Sequence, residues 1–163
     1  GDNTVMTRTF SKIYALGGVR LGWAYAPAHI VDVLNRVRGP FNVGAAAMAA
    51  GVAAIGDTAF EDMSRAHNTR WLAWFTEQLT GLGLDVTPSI GNFVLVCFGD
   101  ATPSRSAEGA DAFLKSRGIV IRRMGGYGFP NCLRITIGLE DEMRAVVDAL
   151  ATYLGRNETE PGA

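Results

Sequence analysis

Two short strand-like segments open the chain, and a long helical region follows before any further strand. Residues 4–7 and 19–26 have the apolar and β-branched composition of strands. The next strand-like pattern begins only at residue 84. A sheet of two strands is at best marginally stable in water. We therefore predict that the N-terminal segment belongs to a larger sheet whose other strands lie outside this chain.

The second half of the chain has the pattern of a small, self-contained unit. After helices predicted at 30–38 and 44–56, and a helical region at 57–82 in more than one piece, strands and helices alternate. Strands are predicted at 84–87, 92–98, 119–123 and 133–137, with helices at 107–116 and 140–154. We expect a domain remnant over 1–56, a connecting helical region over 57–83, an α+β domain over 84–155 and a flexible tail over 156–163.

Composition narrows the class of protein. A net charge of -1 gives no global basic field for nucleic acid, and no apolar run is long enough to span a membrane. No signal peptide opens the chain, so we expect a cytoplasmic protein in which Cys97 and Cys132 are reduced, buried thiols. His29 and His67 are expected to face solvent, and no metal site is predicted.

Lysine is scarce, which draws attention to one position. Lys12 and Lys115 are the only lysines among 15 basic residues. Lys115 lies on a polar helix face, whereas Lys12 lies in a glycine-containing stretch that is otherwise uncharged. Residues 3–31 contain no acidic residue but include Arg8 and Arg20 as well as Lys12. This segment is locally cationic and suits an anion.

The residues around Lys12 suit a phosphate-bearing aldehyde. A partly desolvated lysine next to an arginine is pushed toward the neutral amine, which can attack a carbonyl. Thr9 and Ser11 supply hydroxyl groups, Gly17-Gly18 allows the chain to turn back, and Arg20 can then grip a phosphate. The alternative is a surface lysine beside an ordinary strand-edge arginine.

A second arginine is unusual for its setting. Arg134 lies inside the short apolar strand predicted at 133–137, where an unpaired charge is costly to bury. The residues alone leave two explanations about equal. One is a structural salt bridge to a helix carboxylate, and the other is a substrate anion.

These two segments resemble a known family. Thr9-Phe10-Ser11-Lys12 followed by Gly18-Val19-Arg20-Leu21-Gly22 resembles the cofactor-lysine segment of the fold-type I aminotransferases, which use pyridoxal 5'-phosphate (PLP). The resemblance implies that Lys12 is the catalytic Schiff-base lysine, that Ser11 and Arg20 bind the cofactor phosphate, and that Thr9 belongs to the same shell.

The run from Arg122 through Tyr127-Gly128 to Leu133-Arg134-Ile135-Thr136-Ile137-Gly138 is most similar to the histidinol-phosphate aminotransferases. That resemblance implies that Arg134 and Arg122 bind the acidic group of the substrate, with Arg123 as a register alternative to Arg122. Asn92 is a further candidate for substrate contact, with a strand-end cap as the alternative role.

The resemblance implies an α/β fold: part of the large PLP domain, followed by the C-terminal α+β small domain of a fold-type I enzyme. The implied reaction transfers an amino group from histidinol phosphate to 2-oxoglutarate, in histidine biosynthesis, by a homodimer. Alternatives are an aromatic amino-acid aminotransferase, a phospho-amino-acid decarboxylase, or a non-catalytic fragment that acts only as an association module. The isolated chain is expected to be inactive.

Overall fold

A computed structural model describes residues 1–99, 102 and 105–156. The chain separates into two compact units, Gly1–Ala66 and His67–Ala163, and the division falls within one long helix. Except for Arg156, the predicted flexible tail at 156–163 lies outside the described residues.

The first unit contains a β-hairpin and helices. Strand β1 (Met6–Thr9) pairs antiparallel with β2 (Gly22–Tyr25), and helices α1 (Ala28–Val37) and α2 (Ala45–Gly56) follow. Within residues 1–66, all of which the structure describes, no third strand joins this sheet and only Phe10 and Gly51 are buried. Such a unit has almost no apolar core of its own, in line with the predicted partial domain.

Helix α3 (Thr58–Gly81) is continuous, so the prediction of several pieces was wrong. No proline interrupts its 24 residues, and its first glycine is its last residue, so nothing in the sequence breaks the backbone hydrogen-bond ladder. Asp57 caps its N-terminus by accepting a hydrogen bond from Phe60 N at 3.0 Å.

The second unit is a four-stranded antiparallel sheet with helices on one face. Its strands are β3 (Asp85–Thr87), β4 (Phe93–Cys97), β5 (Arg122–Arg123) and β6 (Cys132–Thr136), in the order β3-β4-β6-β5. Alternate strand residues such as Val94, Leu133 and Ile135 share one core with α3 and with helices α4 (Ala107–Ser116) and α5 (Glu140–Tyr153). The mixed helix and sheet architecture agrees with the predicted fold class.

The opposite side of this sheet presents a different set of residues. Because side chains alternate along a strand, the register places Phe93, Leu95, Arg134 and Arg122 together on the face away from the core residues. We call this the arginine face. It contains the residues of the second predicted site.

The two cysteines are bonded, so the prediction of reduced thiols was wrong. Cys97 and Cys132 form a disulfide with an S–S distance of 2.00 Å. They are directly opposed on β4 and β6, and the adjacent bond from Phe98 N to Asn131 O marks them as a non-hydrogen-bonded pair. Such pairs bring the Cα atoms closest, here to 4.1 Å. Their separation of 35 residues gave no local signal of this pairing.

Two smaller expectations also change. The strand predicted at 119–123 is limited to β5, because only Arg122 and Arg123 of that segment pair with β6. His67 does not simply face solvent, since its Nε2 lies 2.9 Å from the carbonyl oxygen of Gly138. Among the described residues, no helix is both long and apolar enough to cross a membrane.

Candidate functional site

The first candidate site lies on the loop that joins β1 to β2. Thr9 and Gly22 are paired at the end of the hairpin, and Phe10 N donates to Leu21 O at 3.1 Å just beyond it. Gly22 is needed at this point, because a Cβ there would lie 2.7 Å from the carbonyl oxygen of Arg8. The hairpin therefore holds both ends of the loop at 10–21 side by side.

Phe10 anchors this loop within the first unit. Its ring is 5% exposed and lies beside Gly51 of α2. A Cβ on Gly51 would overlap the Leu21 side chain and would also touch the Phe10 ring at 3.7 Å. The absence of a side chain at Gly51 thus allows α2 to approach both ends of the loop.

Lys12 lies on the exposed side of this loop. Its side chain forms no hydrogen bond or ion pair with any described residue. The sequence predicts a partly desolvated Lys12, but in this chain by itself the Lys12 side chain is exposed. Helix α2 covers Phe10 and leaves Lys12 uncovered. The amine is instead unpaired and accessible.

Thr9 and Ser11 place two hydroxyl groups next to that amine in sequence. Thr9 Oγ1 donates to Ser11 Oγ at 2.9 Å and accepts from Ser11 N at 3.0 Å. This local turn fixes both side chains relative to the backbone. The Ser11 hydroxyl hydrogen remains free to donate to a ligand.

Arg20 adopts a backbone conformation that glycine would adopt at lower cost. It ends the single 3₁₀ turn Gly17–Val19 at φ 58° and ψ 48°, in the left-handed region. That region costs a non-glycine residue about 1 kcal/mol. Its Nη1 donates to Gly17 O at 2.6 Å, and the side chain makes no ion pair with described residues. An arginine kept at a costly position, without a carboxylate, indicates a role for its charge.

The loop at 10–21 and the adjacent Thr9 thus carry an unpaired amine, two hydroxyl groups and a guanidinium. These groups match an aldehyde-bearing phosphate: the amine suits the carbonyl, the guanidinium and the Ser11 hydroxyl suit the phosphate, and the Thr9 hydroxyl holds that of Ser11. Whether they bind it stays a prediction.

The second candidate site is a pair of arginines on the arginine face. Arg122 of β5 and Arg134 of β6 are directly opposed in register, so both side chains leave the same face of the sheet. Like charges directly opposed destabilise a sheet. The carboxylate on this face, Asp85, lies on β3, two strands away, and makes no ion pair with either arginine. Within the described residues, the arrangement leaves two positive charges without a paired carboxylate.

Register also separates Arg122 from its neighbour. Arg123 is opposed to Leu133, a core residue, and its Nη1 pairs with Glu108 Oε1 of α4 at 3.3 Å. Arg123 therefore points toward the helix layer and already has a carboxylate. Of the two register alternatives, Arg122 is the residue that shares a face with Arg134.

An open cleft of about 850 Å³ runs along this edge of the second unit. It is lined by residues 118–123, by 134–136 and by part of α5. Its carboxylate, Glu142, is engaged, since Glu142 Oε2 accepts from Leu139 N at 2.8 Å. The cleft is therefore apolar and cationic in character.

Asn92 precedes β4, and its role here is structural. Its carbonyl oxygen accepts from Ile137 N at 2.8 Å and so extends the pairing of β4 with β6. The side chain is exposed and has no hydrogen-bond partner among the described residues. It remains free to contact a ligand.

Two aromatic residues of the arginine site were not predicted from the sequence. The guanidinium carbon of Arg134 lies 5.2 Å from the centroid of the Phe93 ring, and Arg122 Nη1 donates to Tyr127 Oη at 3.3 Å. Phe93 looked like an ordinary strand residue, and its contact depends on the pairing of β4 with β6. Tyr127 belongs to the family-like segment, but no sequence pattern indicates its hydrogen bond with Arg122.

Comparisons with known proteins show the family of this chain. The family model described as aminotransferase class I and II matches residues 1–150. A histidinol-phosphate aminotransferase from Paramagnetospirillum magneticum is 56% identical over 155 residues, covering 95% of this chain and 42% of the relative. One from Rhodospirillum rubrum is 59% identical over 152 residues, covering 93% and 41%.

Among solved structures, the chain is similar to histidinol-phosphate aminotransferase from Sinorhizobium meliloti in complex with pyridoxal-5'-phosphate. The TM-score is 0.83 at 26% identity, covering 94% of this chain and 42% of that one. The chain thus spans less than half the length of the relatives that it matches.

Proposed function

Because the chain belongs to the class I and II aminotransferase family, we propose that it is part of a PLP-dependent enzyme that transfers an amino group from histidinol phosphate to 2-oxoglutarate. The observation that carries this proposal is that the loop at 10–21 and Thr9 carry an amine unpaired among the described residues, two hydroxyl groups and a guanidinium, in a chain of this family. The names of the relatives at 56% and 59% identity support the substrate.

The residues of the loop fit the cofactor. Lys12 offers an exposed amine, and Ser11 and Arg20 offer donors that no carboxylate occupies among the described residues. When bound, PLP supplies an aldehyde that reacts with amines and a ring that withdraws electrons from the adjoining carbon. We assign the phosphate to Ser11 and Arg20, with Thr9 in support, because charge-assisted hydrogen bonds to phosphate are strong.

Lys12 has two tasks in this proposal. Its Nζ would hold the cofactor, and when free it would accept and return the proton of the substrate carbon. Both tasks need a neutral amine, and this chain leaves Lys12 exposed. We therefore infer that covering residues come from the part of the relatives that this chain does not match.

Arg134 and Arg122 take the acidic end of each substrate in turn. The opposed pair presents two positive charges, which suits the phosphate of histidinol phosphate and, in the second half-reaction, a carboxylate of 2-oxoglutarate. Asn92 adds an amide beside the same sheet.

The exposed apolar residues of the first unit support a further assembly partner. Val37 is 74% exposed, Phe41 95% and Val52 75%. Surfaces of this kind mark interfaces. We infer that the rest of the large domain and a second subunit cover them, and that the isolated chain turns over no substrate.

Reductive trapping tests the assignment of Lys12 on this chain itself. The protein is incubated with PLP, reduced with borohydride and digested, and the modified peptides are identified by mass. We expect the adduct on Lys12 and its loss in Lys12→Ala. The matched control is Lys115→Ala, which removes the other lysine. The Lys115 amine forms an ion pair with Asp111.

An adduct shared equally by Lys12, Lys115 and the N-terminal amine would contradict the cofactor site.

Transamination is then measured on the longer protein that contains this chain, with histidinol phosphate and 2-oxoglutarate as substrates. Lys12→Ala is expected to abolish it. Turnover of an aromatic amino acid in preference to histidinol phosphate would replace the proposed substrate with the aromatic alternative.

A further inference from the structure

We infer that Phe93 is a positioning residue for the anion held by Arg134 and Arg122. The inference rests on the proposed function, in which this pair takes the acidic end of the substrate. It concerns how an arginine that lacks a carboxylate is kept ready to bind.

The first step is the position of the Phe93 ring. Phe93 begins β4 opposite Thr136, and it is diagonal to Arg134 on the arginine face. The guanidinium carbon of Arg134 lies 5.2 Å from its ring centroid, within the range of a cation–π interaction. The ring therefore attracts the guanidinium through its face.

The second step concerns the donors that this contact leaves free. A carboxylate partner would occupy N–H groups of the guanidinium, whereas a ring face accepts from none of them. Arg134 forms no hydrogen bond or ion pair with any residue in the described ranges. All five of its N–H donors thus remain available for an anion. Arg122 is similar, since its side-chain hydrogen-bond partner among the described residues is the neutral hydroxyl of Tyr127.

The third step concerns the backbone that carries the Phe93 ring. Ser89 Oγ donates to Phe93 O at 2.7 Å and accepts from Gly91 N at 3.1 Å. Asn68 Nδ2 of α3 donates to Gly91 O at 3.1 Å, and the Gly91 position lies against the edge of the Phe93 ring. The turn before β4 is thereby tied to α3, which holds the backbone that carries the ring beside Arg134.

The test measures inorganic phosphate binding to this chain by NMR, following the Nε–Hε resonances of Arg134 and of Arg122, the second of which remains in the Arg134→Ala background. Phe93→Leu keeps an apolar side chain but removes the ring, whereas Phe93→Tyr keeps the ring. We expect Phe93→Leu to raise the Kd for phosphate about 3- to 10-fold, and Phe93→Tyr to stay within about twofold of the wild type. Thermal unfolding of each variant accompanies the titration.

A double-variant comparison separates positioning from general packing. If Phe93 acts through Arg134, Phe93→Leu should have no further effect on phosphate binding in an Arg134→Ala background. An equal loss in both backgrounds, or no rescue by Phe93→Tyr, would overturn the inference.

The test also separates this inference from the proposed function. Loss of binding in Arg134→Ala together with unchanged binding in Phe93→Leu would overturn the role of Phe93 and leave the arginine site intact. If the wild type bound no phosphate, or Arg134→Ala bound as well as the wild type, the arginine site itself would fail. The Lys12 trapping experiment would still stand as an independent test of the cofactor site.

Discussion

The disulfide between Cys97 and Cys132 makes a quantitative prediction about the second unit. The bond closes a loop between residues 35 apart in sequence. In the chain-entropy model, a loop of this size restricts the unfolded chain by an amount worth about 4 kcal/mol at 25 °C. Reducing the bond should therefore lower the free energy of unfolding by roughly 2–4 kcal/mol, the usual measured range.

Urea unfolding with and without a phosphine reductant measures this difference. Trp71 and Trp74 lie in the second unit and supply the fluorescence signal. For an m-value of about 2 kcal/mol per M, reduction should shift the midpoint down by about 1–2 M. The control is Cys97→Ala/Cys132→Ala, whose midpoint should not respond to reductant.

Thiol titration checks the premise directly. The protein, purified without reductant and denatured in urea, should show no free thiol, and two after reduction. Two free thiols before reduction, or a midpoint that reductant leaves unchanged, would refute the reasoning and restore the expectation of reduced cysteines.

Three further predictions concern the first unit and the start of α3. Gly51→Ala should be about 1 kcal/mol less stable than Gly56→Ala in thermal unfolding, because only the former overlaps Leu21 while both gain helix propensity. Arg20→Gly should be about 1 kcal/mol more stable than Arg20→Ala, because both variants lose the guanidinium and only glycine relieves the positive φ. Both variants should also weaken PLP trapping at Lys12. Asp57→Ala should cost about 1 kcal/mol through loss of the cap on Phe60 N, whereas Asp57→Asn should retain most of it in urea unfolding.

Features that depend on residues close in sequence could be predicted. The loop with Lys12 and Arg20 is local, because the flanking strands pair with each other across it. The Asp57 cap and the turn at Gly118 are local in the same sense. Their physical causes are contained within a few residues, so local sequence patterns can indicate them.

Features that depend on distant pairing could not be predicted. The bond between Cys97 and Cys132 and the contact of Phe93 with Arg134 both require the register of β4 against β6. The exposure of Lys12 depends on which elements cover the loop, and the sequence around the lysine carries no information about that.

The alternation of Arg122 and Arg123 also makes the length of the preceding turn matter. One arginine serves the arginine face and the next pairs with Glu108 on the helix side. A one-residue deletion between Gly118 and Arg122 that shifted the pairing with β6 would exchange the two roles. Both arginines would still be present in the chain. The arginine that pairs with Glu108 and the arginine proposed to bind the ligand would each lie on the wrong side of the sheet. The spacing of this turn should thus tolerate substitutions more readily than changes in length.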